Sequence, residues 1–222
     1  MNSRWLVLNT LLLFAVASAA ATQTYKVEPI GPCTNPDLSD VVKSSLQSQG
    51  IRVSGESGTL YELWLRKVIP QKAGSSGADY GTIANGTFTG VISYAVRAGD
   101  YRGQAIKPGT YTMRYQTVPV DGNHMGVSPT PDYFLLLPPS ADKDPDALIE
   151  YDNLVKLSIQ AAGTRHPSPL YLIAPTAGGS AGFHQADEGH WAIEAKTKAK
   201  PAGAGAEIDF PIAIILIGRG EG

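Results

Sequence analysis

The chain has 222 residues, 43% hydrophobic and 17% charged, with 18 basic against 20 acidic side chains and a formal net charge of −2. The apolar content excludes a disordered chain, and the even charge balance excludes electrostatic nucleic-acid binding, which needs a basic surface to displace counterions from phosphates. A lone cysteine, Cys33, excludes an intrachain disulfide and a four-cysteine zinc site; 24 glycines and 16 prolines favour many turns and short elements over a helical bundle.

The first elements read as an export leader. Arg4 supplies a positive start, Trp5 to Val16 is an apolar run broken only by Asn9 and Thr10, and Ala17-Ser18-Ala19 and Ala19-Ala20-Ala21 offer small residues at cleavage spacing. The run is too short to cross a bilayer core, which needs roughly 20 apolar residues. The expectation is a signal peptide over residues 1–21, cut near 17–22, and one exported domain, periplasmic or secreted, over 22–222 with no integral membrane segment. Cys33 is expected to be buried, since no base lies near it in sequence to make a nucleophile of it.

Two helices are announced by Asn35-Pro36 and Asp144-Pro145, a capping side chain followed by proline at the first helical position. The first is expected to run to about Gln49, with Leu38, Val42 and Leu46 on one face and Gly50 after it. The second is expected to run to about Ala162, with a stripe of Leu148, Tyr151, Leu154, Val155 and Ile159 and Gly163 closing it. Strands are expected at Thr59–Val68, at Thr87–Val96 with Phe88, Ile92, Tyr94 and Val96 on one face, and at Tyr111–Tyr115, where Tyr111, Met113 and Tyr115 alternate with polar neighbours. Further strands are expected at Tyr133–Leu137, Leu170–Ala174 and His190–Lys198. Ile208–Ile217 is apolar enough to be buried on both faces as a central strand. No βαβ alternation is visible, so the fold class is mainly β: an antiparallel β-sandwich, Ig-like or related, with the two short helices packed on its ends or edges.

Several segments carry a resemblance. Gly103-Gln-Ala-Ile-Lys-Pro-Gly-Thr-Tyr-Thr-Met-Arg-Tyr115, Asp121-Gly-Asn-His-Met-Gly-Val127, Leu154-Val-Lys-Leu-Ser158, Gly163-Thr-Arg-His-Pro167 and Glu62-Leu-Trp-Leu-Arg-Lys67 resemble a family of exported bacterial proteins of unknown function. The resemblance implies export and one domain from about Asp37 to Gly218. It implies no activity, cofactor or site residue.

The loop from Pro119 to Pro131 is longer than an ordinary hairpin connection and joins two strands, a place where binding groups gather. It holds Asp121, His124 and Met125, with Asp132 at its end. Imidazole and thioether suit copper(I), and Met113 would add a second sulfur; imidazole with carboxylates suits zinc. The plainer reading is an ordered loop in which Asp121 and Asn123 make turn hydrogen bonds. Arg102 is a candidate for an anionic ligand, and pairing with Asp100 is its plainer role. His184, Asp187, Glu188 and His190 form a second cluster, without the helix that zinc proteases need. Ser180, flanked by glycines, lacks the strand-to-helix elbow of a hydrolase.

Three functions stay open. The first is a non-catalytic binding or structural module for a protein, glycan or surface, with Tyr80, Tyr101 and Trp64 as aromatics suited to stacking on sugars. The second is a copper- or zinc-binding protein using His124, Met125 and Met113. The third is a hydrolase with a site gathered from loops. No catalytic residue and no resident cofactor is assigned from the sequence.

Overall fold

The structure, a computed structural model, describes residues 24–101, 103–119, 130–176, 182–187, 189–203 and 205–218. The expected signal peptide and its cleavage region therefore lie outside the described residues. In chain order the elements are β1 (Lys26–Ile30), α1 (Asp40–Ser45), β2 (Gly50–Gly55), β3 (Gly58–Leu65), β4 (Val68–Gln71), β5 (Phe88–Tyr94), β6 (Ala98–Gly99), β7 (Ala105–Ile106), β8 (Gly109–Thr117), β9 (Asp132–Leu137), α2 (Tyr151–Ala162), β10 (Pro169–Ile173), β11 (Gly182–Asp187), β12 (His190–Pro201) and β13 (Ile208–Ile217).

The mainly β expectation holds. Apart from the small β6-β7 pair, the strands are arranged in one long sheet, whose main path runs β1-β2-β3-β5-β8-β9-β10-β13-β12-β11 with each neighbouring pair antiparallel. The expected division into two facing sheets is replaced by curling. β4 follows β3 after the bend at Arg66-Lys67 and pairs in parallel with the far half of β12. The sheet thus turns back on itself as a half-barrel whose open seam lies between β1 and β11. Aromatic rings bridge that seam: Tyr25 makes edge contacts with Phe183 and Trp191 at 4.9 and 4.6 Å. Curling does the work of a second sheet, because it lets one inner face bury itself.

Alternation along the strands sorts the side chains. Tyr61, Leu63 and Leu65 of β3, Tyr111, Met113 and Tyr115 of β8, Phe134 and Leu136 of β9, and Phe210, Ile212, Ile214 and Leu216 of β13 all fill the interior. β13 lies between β10 and β12, and its Ala213 and Ile215 are buried on the opposite face too, as the apolar run predicts. A register shift between Phe88 and Gly90 sends Phe88 outward, away from Ile92 and Tyr94, which it was expected to join.

Three covers lie on the outer face. Leu38, Val42 and Leu46 pack with Cys33, Trp64, Phe88 and Val91, so the three are buried together as expected and Cys33 is buried, but α1 ends at Ser45 rather than near Gln49 and only Val42 of the three lies in it. Burial pushes the Cys33 thiol up, which disfavours a thiolate. Helix α2 sets Leu154 against Tyr133, Leu135, Leu137 and Tyr171, and Gly163 closes it in the left-handed conformation. Between the helices, Arg114 of β8 and Asp142 form a pair that is 0% and 1% exposed.

Both helices start later than expected. Asn35 accepts from Asp37 N at 2.8 Å and makes a turn, while Ser39 caps α1 by accepting from Val42 N. Asp144 likewise accepts from Asp146 N. The carbonyls of Asp144, Pro145 and Ala147 receive N–H groups of Arg114 and Arg66, so a first helical turn there does not form. Leu148 is exposed as a result.

Candidate functional site

The long loop is anchored as its flanking strands require. Thr117 and Asp132 are cross-strand partners, and Val118 N donates to Pro131 O at 2.8 Å. Asp121, His124 and Met125 lie outside the described residues, as do Arg102, Ser180 and Glu188. The residues around them are placed. Met113 is fully buried in the interior among the inward rows of β3, β5 and β8, as a core side chain. Asp132 accepts from the Tyr115 hydroxyl at 2.5 Å. Asp100 is 1% exposed and holds Gln104 by its backbone N–H at 2.8 Å and its side-chain amide at 3.1 Å.

A pocket of about 140 Å³ opens at the root of this loop. Its origin is the outward row of β9 and β10. Phe134 and Leu136 point into the half-barrel, so Tyr133 and Leu135 point out, and Tyr171 of β10 joins them. Tyr151, at the first turn of α2, forms one wall, and its hydroxyl is hydrogen-bonded to that of Tyr133. His166, Pro167 and Pro169, on the connection from α2 to β10, form another. Gln104, Val118 and Pro119 belong to the rim, and among the described residues no Asp, Glu, Lys or Arg lines the pocket. Burial, with Tyr151 and Tyr171 nearby, holds the Tyr133 phenol well above its ordinary range, so it stays neutral and able to donate.

The aromatic floor continues beyond the pocket. The rings of Tyr133 and Tyr171 lie 5.9 Å apart, and those of Tyr171 and Tyr101 5.4 Å apart at 78°. Tyr101 stacks in turn on His190 at 4.5 Å and 13°. Of the aromatics singled out from the sequence, only Tyr101 belongs to this array. Tyr80 is structural: its hydroxyl donates to Ile173 O at 3.0 Å and accepts from Ala213 N at 2.9 Å, where β10 and β13 part. Trp64 is 6% exposed under the first cover.

The His184 cluster divides into two unrelated pairs. His184 Nε2 lies 3.5 Å from the carboxylate of Glu194, which is 2% exposed and also accepts from Thr176 N and Oγ1 at 3.0 and 2.9 Å. His190 Nδ1 pairs with Asp187, and its buried Nε2 has no hydrogen-bond partner among the described residues. Among the described residues no three His, Cys, Asp or Glu side chains converge as a metal site would require.

The sequence reading missed the tyrosine pocket. The signal for it was present: Tyr133–Leu137 and Leu170–Ile173 are apolar at every position, so their outward faces also had to be covered, and Tyr133 and Tyr171 fall on those faces. Comparison with protein-family models, characterised proteins and solved structures finds no match.

Proposed function

We propose that this chain is an exported, non-catalytic binding module that holds an uncharged ring ligand, a sugar unit of a glycan, in the tyrosine pocket. The observation that carries the reading is the lining: among the described residues it is Tyr133, Tyr151 and Tyr171 with three prolines and His166, and no charged side chain. A pyranose offers an apolar C–H face to an aromatic ring and hydroxyls to phenol, imidazole and amide groups. A charged ligand would find no counter-ion among these residues. The sheet supplies a rigid floor, and Val118 and Pro119, where the loop to Pro131 begins, stand at the rim. The leader read at residues 1–21 accords with a glycan met outside the cell.

The test is calorimetric titration of neutral oligosaccharides into the protein and into Tyr151→Ala. Losing one stacking face of about 0.5–1.5 kcal/mol should weaken binding roughly two- to tenfold. A panel of neutral sugars that fails to bind, or a binding sugar indifferent to Tyr151→Ala and His166→Ala, contradicts the reading.

A further inference from the structure

On the other half of the outer face, five strands place polar side chains directly opposite one another. Glu28 of β1 faces Arg52 of β2, which faces Glu62 of β3, then Ser93 of β5, then Thr110 of β8. At about 4.8 Å per strand this row is about 19 Å long. Arg52 Nε and Nη2 donate to Glu62 Oε1 at 2.8 and 2.6 Å, and Arg52 Nη1 lies 3.6 Å from Glu28. The hydroxyls of Ser93 and Thr110 are 2.7 Å apart, and Asn35 Nδ2 donates to Thr110 at 2.7 Å.

The chain after β1 arches beside this row and leaves a cleft of about 300 Å³, lined by Gly31, Asn35, Arg52, Glu62, Trp64 and Ser93 among others. Trp64 is fixed as its wall. The indole lies across Gly50, where a Cβ would come within 2.3 Å of Nε1, and Nε1 donates to Gly31 O at 2.9 Å. Open space lies over Gly31, so the cleft is not capped there.

We propose that this cleft is a second ligand site, which takes a linear, uncharged oligosaccharide laid across the strands. Arg52 balances Glu62, and Lys26, 2.6 Å from Glu28, balances the second carboxylate, so the row carries no net charge and selects against a charged ligand. These pairs leave donor and acceptor positions side by side, and serine, threonine and asparagine extend that alternation. A hydroxyl is both donor and acceptor, so a chain of hydroxyls matches such a row where an ion does not. The buried indole of Trp64 holds the wall of the cleft in place, and its resonance reports on what enters beside it. The inference stands apart from the tyrosine pocket, which lies on β9 and β10.

The experiment follows the indole N–H resonance of Trp64 while cellohexaose, chitohexaose, xylohexaose and mannohexaose are added in turn to the whole protein, with affinities from calorimetry. At least one hexasaccharide should shift the Trp64 resonance. For that sugar, Glu62→Gln and Arg52→Gln should each weaken the interaction tenfold or more, while Tyr151→Ala leaves the Trp64 response unchanged. Arg52 and Glu62 are partly exposed, so both variants should fold, which melting curves will verify. A Trp64 resonance unmoved by all four sugars, or a response that survives both charge variants, overturns the proposal. A response lost with Tyr151→Ala overturns it as well, because the sugar then sits in the other pocket.

Discussion

Replacing Arg114 by methionine removes a buried side chain that ties the segment between β9 and α2 to the sheet. All five guanidinium N–H groups are used: Nε and Nη2 reach the two oxygens of Asp142, Nη1 reaches Gly86 O and Ala147 O, and Nη2 also reaches Asp144 O. The carboxylate further accepts from Thr112 Oγ1 at 2.6 Å. With both partners buried, breaking the pair strands a carboxylate and should cost about 3–5 kcal/mol. The double variant Arg114→Met, Asp142→Leu removes the stranded charge and should recover part of that loss. It should not recover all of it, because the carbonyls of Gly86, Asp144 and Ala147 still lack donors, at about 1–3 kcal/mol for a buried unsatisfied group. Urea denaturation followed by circular dichroism reads the difference. With a slope of about 2 kcal/mol/M, the single variant should lower the midpoint by about 1.5–2.5 M. A loss below about 1 kcal/mol, the size expected for the exposed Arg52–Glu62 pair, would refute the argument from burial.

Two further outcomes follow from buried tyrosines. Burial raises the phenols of Tyr61, Tyr94 and Tyr115 above their ordinary value of about 10, so above that pH the unfolded chain releases protons that the folded chain retains. Stability should be independent of these groups below pH 10 and fall above it, by up to about 1.4 kcal/mol per pH unit for each; thermal melts with tyrosinate absorbance check this, and a flat profile to pH 12 would contradict it. Tyr80→Phe leaves Ala213 N–H and Ile173 C=O without their shared hydroxyl and should cost about 1–3 kcal/mol, measured by urea denaturation.

What was legible in the sequence was periodicity. Ile208–Ile217 was placed to the residue as β13. Leu38, Val42 and Leu46 were rightly read as buried together, though only Val42 lies in α1. Local capping signals were less reliable. Asn35 and Asp144 do bind backbone N–H groups two residues on, but such a bond makes a turn as readily as a helix start. Which one forms at Asp144 was decided by Arg114 and Arg66, about 30 and 80 residues away in sequence. Curling was equally hidden. It depends on β4 meeting β12, a pairing of Val68–Gln71 with Lys198–Pro201 that local patterning does not encode. β11 was not among the expected strands because Gly182–Asp187 has few apolar residues, and its strand form comes from pairing with β12. The candidate site was legible only by neighbourhood. The loop from Pro119 was identified by its length as a setting for ligand groups, whereas the pocket beside its root needs Tyr151 and His166 brought in by α2 and the connection that follows.

Crystals grown with a neutral oligosaccharide that binds in solution address the tyrosine pocket directly. The account predicts density for one sugar ring beside Tyr133, Tyr151 and Tyr171, with hydroxyls in hydrogen-bonding range of a phenol or of His166. Density for a bound sugar elsewhere, with this pocket filled only by water, would contradict it.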